Sequence, residues 1–410
     1  MGTRRTRSTC TGLALAGGLL ATSVAAAPAQ ADPGGSAARG CKPSIQVLET
    51  LPATDDPHPS PWVRRTQVSA IAPGPSSRLA VGMSSMVPVY WIGTRVFAVP
   101  VPAGSGSGRV ADVNRSGLMV GQVSTPDGSR AFSYRHGDRA VTLLPGGDSA
   151  TGINDRGVIV GQVWDPVRNR TIGLEWSGDR IRRELPPPAG YRLSFLSGVN
   201  NRGQVAGNGD AQERLPGAEF RVTPGLYWPA DPAVAPSVLR PVDDTGDTYV
   251  TRGIADSGRI VGYQRRQAEG GSEVAVVWKK PDGPPVYAPW APGAMGGTFE
   301  AISPNTDVSV GLAEFRYTAP PPEDSPEARA QYWTGSGPMR VLPGLAPSRY
   351  TAAFAVTDDD RVGGAALDAE GRVRPVIWTC AAEQAFVLPA VQPPQRRPAS
   401  AATSEEAALP

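Results

Sequence analysis

The stretch Val113–Gly121 reads VNRSGLMVG, and it recurs along the chain. INDRGVIVG spans 153–161, VNNRGQVAG 199–207, IADSGRIVG 254–262 and ISPNTDVSVG 302–311. Degenerate copies are IAPGPSSRLAVG at 71–82 and VTDDDRVGG at 356–364. Each copy is an apolar residue, a turn, then a short apolar run closing on Gly. Successive closing glycines lie 39, 40, 46, 55, 49 and 53 residues apart. A period of this size marks a stack of supersecondary units, each too small to bury its own apolar face.

Working outward from that phrase, a second follows each glycine. An apolar run closes on an aromatic: Tyr90-Trp91, Tyr134, Trp176, Trp228, Trp278, Trp333 and Trp378. A turn then leads to a third phrase that often ends in Leu-Pro or Val-Pro, as in VTLLP (141–145), VLP (341–343) and FVLP (386–389). Each unit therefore holds four short strand signals, A to D, rich in β-branched and aromatic residues and separated by Gly, Asn, Asp and Pro. No stretch has sustained helical periodicity. Four strands every ~40–50 residues is the spacing of a propeller blade. Tandem immunoglobulin-like modules need roughly 100 residues each. The expected fold is all-β: a seven-bladed β-propeller of four-stranded blades, closed into one ring by its N- and C-terminal segments. Six blades follow if the degenerate first unit serves only as closure. The residue before each strand-A apolar is small (Ala70, Gly152, Gly198, Gly253, Ala301, Ala355), as inner strands crowding an axis require, with Asp112 departing from the pattern.

The A–B phrase followed by the apolar-x-Trp phrase resembles the HAF-repeat family of extracellular repeat proteins. The resemblance covers about residues 66–390 and is strongest at 111–176. It implies a secreted, β-rich repeat protein and no settled activity.

The chain has 410 residues with 40 Lys+Arg, 38 Asp+Glu and only two His, His58 and His136. So even a balance gives no electrostatic footprint for nucleic acid. His-rich metal sites are excluded, and a Ser-His-Asp arrangement has only those two imidazoles to draw on. Residues 1–31 read as a secretory signal peptide. Arg4, Arg5 and Arg7 precede a small-residue apolar run, and Ala29-Gln30-Ala31 forms a cleavage site. The run is broken by Gly17, Gly18 and Pro28, which argues against a membrane anchor. Arg4-Arg5 hints at twin-arginine export, but Thr6-Arg7-Ser8 follow where apolar residues belong, which favours general secretion. Cys10 precedes the apolar run and is no lipidation site. Cleavage leaves 37 basic against 38 acidic residues. The expected organisation is a signal peptide, one domain over 32–390, and a disordered Pro-, Ala-, Ser- and Glu-rich tail over 391–410. The mature protein is expected to be a soluble extracellular monomer with no cofactor and no bound metal.

Past the signal segment only Cys41 and Cys380 remain. Cys41 precedes IQVLETLP (45–52), a strand-D signal with no A, B or C before it; Cys380 follows Trp378 of the last unit. First and last blades of a propeller meet, and the exterior is oxidising, so the expectation is a Cys41–Cys380 disulfide. The surplus strand is expected to join the last blade beside 385–389, or to displace it, covering an exposed edge.

The repeated Asn114, Asn154, Asn200, Asp256 and Asp360 invite a calcium or catalytic reading. Turn capping by Asn and Asp, with Gly supplying positive φ, accounts for them. The Trp series reads as core. Function is sought where the repeat breaks, on loops held by a rigid scaffold. The D–A and B–C loops share one face, and the longest fall in units four to six. There the expected ligand-binding residues are Tyr191, Arg192, Tyr249, Tyr263, Arg265, Trp290, Phe315 and Tyr317, aromatic rings beside guanidinium groups suited to a glycan or a protein partner. No catalytic residue is assigned. A polysaccharide-cleaving enzyme would need two converging carboxylates, for which Asp243, Asp247, Glu300 and Glu314 are candidates. The acidic loop Asp243–Asp247 lacks EF-hand spacing and reads as a solvated turn. A structural matrix component is the third reading.

For the cysteine pair, intact mass of the secreted protein should rise by two hydrogens on reduction, with no free thiol beforehand. The ideal loop-entropy contribution of so long a loop is on the order of 5–6 kcal/mol.

Overall fold

The computed structural model describes residues 41–52, 66–211, 223–241, 248–266, 272–315, 327–345 and 350–389. The signal segment, the C-terminal tail, the acidic loop 243–247 and Tyr317 lie outside these residues. All strands belong to one compact unit that begins at Lys42.

Every repeat forms antiparallel strands in the order A-B-C-D. The A strands are Gln67–Ile71, Gly108–Val113, Ser149–Ile153, Tyr191–Val199, Thr248–Ile254, Ala294–Ile302 and Thr351–Val356. The first, second, fifth, sixth and seventh repeats make separate four-stranded sheets; the third and fourth share an eight-stranded one through a single pairing, Thr171 opposite Leu193. The only helix among the described residues is Ala381–Gln384.

Each A strand carries a β-bulge at the same place, and the strand-B glycine explains it. Val68, Val110, Ala150, Leu196, Thr251, Phe299 and Ala353 lie opposite Gly82, Gly121, Gly161, Gly207, Gly262, Gly311 and Gly364, and the next residue of strand A drops out of register. A Cβ on any of these glycines would overlap a strand-A carbonyl, for example that of Arg109 at Gly121 and of Ser149 at Gly161. The recurring Gly is therefore a space requirement, set by a backbone oxygen packed on its Cα.

The aromatics are core, as their repetition suggests. Trp91, Trp176, Trp278 and Trp378 are fully buried; Trp228, Trp333 and Tyr134 nearly so. A buried indole N–H needs an acceptor, and five reach a carbonyl just past the preceding strand D: Trp91 to Glu49 (2.7 Å), Trp176 to Pro145 (3.0 Å), Trp228 to Pro186 (2.6 Å), Trp278 to Arg240 (2.8 Å) and Trp378 to Pro343 (2.9 Å). This gives the Leu-Pro phrase its role. Trp333 departs, donating to Gly337 of its own turn and stacking on Phe299. Apolar clusters accordingly fall between consecutive repeats. Val120, Ala131 and Leu144 of the second repeat pack with Ile159 and Trp176 of the third. Val68, Ile71 and Trp91 of the first pack with Ala355 and Ile377 of the seventh.

The Asn turns do what capping predicts, and more. Asn114, Asn154 and Asn200 each accept two backbone N–H bonds within their own turn through Oδ1. Their Nδ2 atoms donate onward to the next repeat, Asn114 to the Asn154 carbonyl, Asn154 to that of Asn200, and Asn200 to that of Ala255. The following residue runs the same relay: Arg115 N–H to Asp155 (2.8 Å), Asp155 N–H to Asn201 (2.8 Å), Asn201 N–H to Asp256 (2.7 Å). The first repeat has a Pro- and Gly-rich turn instead. Arg361 of the seventh donates to its Ala72, Gly74 and Ser77 carbonyls.

At the termini, displacement is the outcome. Ser44–Val47 pairs antiparallel with Val373–Thr379, occupying the strand-D position of the seventh repeat. The 385–389 segment moves instead to the edge of the sixth, where Phe386 and Val341 exchange backbone bonds. Cys41 and Cys380 are both disulfide-bonded.

Gly121→Ala should therefore cost at least ~3 kcal/mol, since a backbone carbonyl cannot yield. Gly106→Ala, where an added Cβ meets only Ser124 Cβ at 3.8 Å, should stay within about 1 kcal/mol of wild type. Urea unfolding of the two variants measures the contrast, and equal midpoints would refute the packing account.

Candidate functional site

A bulge pushes one side chain out of the strand's alternation. The seven bulged residues are Ser69, Ala111, Thr151, Ser197, Arg252, Glu300 and Phe354. All seven line one cavity of about 710 Å³, to which every repeat contributes. That volume is within the range of small-molecule sites. The four residues from the first to the fourth repeat are small, whereas the fifth to seventh supply a cation, an anion and an aromatic ring.

Arg252 and Glu300 form an ion pair at 3.4 Å, with the Glu300 side chain 6% exposed. Thr298 Oγ1 also bonds Glu300. The Arg252 guanidinium lies over the Tyr263 ring, 5.5 Å from its centroid. Burial raises the Tyr263 phenol above its ordinary value, against the opposing pull of Arg252. The cavity wall thus holds a fixed dipole braced by an aromatic ring.

Asp112 lines the same cavity. It stands where the other repeats carry a small residue, and its carboxylate explains the exception. One oxygen accepts its neighbour Val113 N–H (2.7 Å), the other Ile153 N–H of the third repeat (2.9 Å). At the equivalent Gly152 an added Cβ would meet the Gly198 backbone at 2.9 Å. So this position is where inner strands touch, as the small residues imply. Burial pushes the Asp112 carboxyl up to about 7, against the two N–H bonds that lower it; nearby Asp155 adds to the rise.

The expected loop residues divide. Tyr249 is 3% exposed and packs edge-on against Trp278, so the fold spends it on the core. Tyr263 is buried against Arg252. Arg265 pairs with Glu273 at 2.7 Å. Phe315 is half-buried on the cluster that holds Trp333. Tyr191 is half-buried and Arg192 exposed, at the start of the fourth strand A. Trp290 is 44% exposed. Of the candidate acids, Glu300 faces the cavity; Asp243 and Asp247 lie outside the described residues. Among the described residues no group of His, Cys, Asp and Glu has the makings of a metal site. Apart from Glu300, named as a candidate acid, the bulge residues carry no signal of their own except position: each directly precedes the strand-A position that is small in every repeat but the second, where it is Asp112.

No protein-family model matches the chain, and no curated protein sequence matches it. Among solved structures, it is similar to the β-propeller domain of the Trilobed protease from Pyrococcus furiosus, described as having an open velcro topology. The match covers 76% of this chain and 94% of that one, at 10% identity and a TM-score of 0.50. The likeness shows the fold: this chain is a β-propeller.

Because the folded Asp112 holds its proton more tightly than an ordinary carboxyl of 3.8, its stabilising contribution is full below that value and is lost as pH rises through about 7. Asp112→Asn should therefore gain stability relative to wild type between pH 4 and 7 and hold that gain above. Parallel urea midpoints across this range would contradict it.

Proposed function

We propose that this chain is a secreted seven-bladed β-propeller, its blades closed in one ring, that binds an extracellular glycan or protein ligand without transforming it. The observation that carries the reading is the cavity: one bulged side chain from each repeat, presented by a rigid scaffold, with the varied chemistry gathered at Arg252, Glu300 and Phe354. Ring closure is supported by the apolar cluster between the first and seventh repeats and by the N-terminal strand in the last sheet. The signal-like N-terminus, the disulfide-bonded cysteines and the resemblance to HAF repeats support secretion. Trp290, on a loop, and Arg192, at the start of the fourth strand A, are exposed.

A second reading rests on one observation. Asp112 and Glu300 share the cavity in contrasting environments, one held near 7 by burial and the other in an ion pair. A raised carboxyl and a second carboxyl lining one cavity are the pair of groups that acid and base work on a polysaccharide calls for.

Purified residues 32–410 incubated with immobilised glycans and cell-wall fractions, with product release scored in the same wells, separate the two. Saturable binding with no released product is the expected result. Turnover lost in both Asp112→Asn and Glu300→Gln would overturn the binding reading in favour of the enzyme.

A further inference from the structure

The seven ring positions are unequal, and the inequality opens a second layer of the cavity. Two residues before each bulge lies a further inner-strand position: Gln67, Arg109, Ser149 and Phe195 in the first four repeats, Val250, Thr298 and Ala352 in the others. The first four line the cavity and the last three do not. The reason is steric. Ser69, Ala111, Thr151 and Ser197 are too short to cover the layer behind them, whereas Arg252, Glu300 and Phe354 fill theirs. On the uncovered side strand B joins in, because Gln122 and Gln162 face Arg109 and Ser149 across the ladder and also line the cavity.

This recess is polar, and part of it lacks partners. Gln67 is 6% exposed and Ser149 7%. Gln67 Oε1, Ser69 Oγ and Ser149 Oγ are buried and find no hydrogen-bond partner among the described residues. Buried polar atoms left unmatched cost about 1–3 kcal/mol each. The three residues that carry these atoms all line the recess, and unmatched polar atoms gathered around one recess mark a place for complementary groups.

The chemistry of the atoms selects the occupant. Gln67 Oε1 only accepts, so the ligand must bring a donor, and a carboxylate or phosphate brings none. Serine hydroxyls and the Gln122 amide both donate and accept; Arg109 donates. A neutral hydroxyl-bearing ligand can match the Gln67, Ser69 and Ser149 oxygens at once, and Phe195 in the same lining offers an apolar face. We propose that the recess formed by Gln67, Ser69, Arg109, Gln122, Ser149 and Phe195 binds one neutral sugar residue, the specificity subsite of the binding propeller argued above. The inference rests on that reading and narrows it to a neutral carbohydrate held on the axis.

The test uses mature protein, residues 32–410, titrated by calorimetry with glucose, galactose, mannose, N-acetylglucosamine and their β-linked disaccharides, and with sodium glucuronate as the anionic arm. Saturable binding of at least one neutral sugar, tighter than glucuronate, is expected. Ala111→Phe places at the second ring position the residue that the seventh already carries, which should close the recess and abolish binding with the fold intact by circular dichroism. Gln67→Leu removes an unmatched oxygen; it should weaken binding at least tenfold while leaving thermal stability equal or higher. No neutral sugar bound, glucuronate preferred, or binding untouched by Ala111→Phe would each overturn the subsite. If Ala111→Phe still binds a polymeric glycan or protein as wild type does, the subsite fails while the binding propeller stands.

Discussion

A strand-A carbonyl pressed against the Cα of a strand-B glycine is the contact on which the architecture turns. With no Cβ in the way, strand A comes close enough to kink, and the kink forces one residue out of the ladder. The bulge turns that side chain toward the cavity and brings the next residue against the neighbouring inner strand. Hence the small residue after it, and hence the lone Asp112, whose carboxylate crosses the junction as a hydrogen bond where others have only contact. Packing between repeats, the lining of the cavity and the spacing of the sequence phrase all descend from one absent methyl group.

The outer parts of the repeat follow a complementary logic. A Trp buried between sheets must satisfy its indole N–H, and the carbonyl that serves it lies one repeat back. The Asn turns reach one repeat forward. The third and fourth units are thus held by polar bonds directed both ways along the chain, in addition to the apolar clusters between repeats. Glu49 is informative here. Its carbonyl receives Trp91, so the N-terminal segment provides for the first repeat what four other strand D segments provide for their successors.

Much of this was legible because it repeats. Strand order, the buried Trp series and the capping role of Asn114, Asn154 and Asn200 all follow from residue type at a fixed register, while the disulfide-bonded state of Cys41 and Cys380 followed from their places next to the first and last strands. The cavity was not, for the opposite reason. Ser69, Ala111, Thr151, Ser197, Arg252, Glu300 and Phe354 share a position and nothing else, and a search for recurring chemistry passes over a site built from its absence. Loop aromatics misled for a related reason. Tyr249 and Tyr263 sit within strands, where the pleat carries Tyr249 into the core and Tyr263 against Arg252. The onward bonds of the Asn side chains needed the neighbouring repeat in view, which no single copy of the phrase contains.

The sheet that joins Ser44–Val47 to Val373–Thr379 also sets an order of events. A chain made from its N-terminus produces that first strand more than 300 residues before its partner exists. Six repeats can assemble on neighbours as they appear, but the seventh sheet waits for two strands far apart in the sequence, Ser44–Val47 and Val373–Thr379. Until then the first repeat presents an apolar flank, Val68, Ile71 and Trp91, with nothing to cover it. Completion is therefore a whole-chain event. A product that lacks Ser44–Val47, or that stops before Val373, leaves the same sheet incomplete, so the seventh repeat decides whether the first strand ever finds a place.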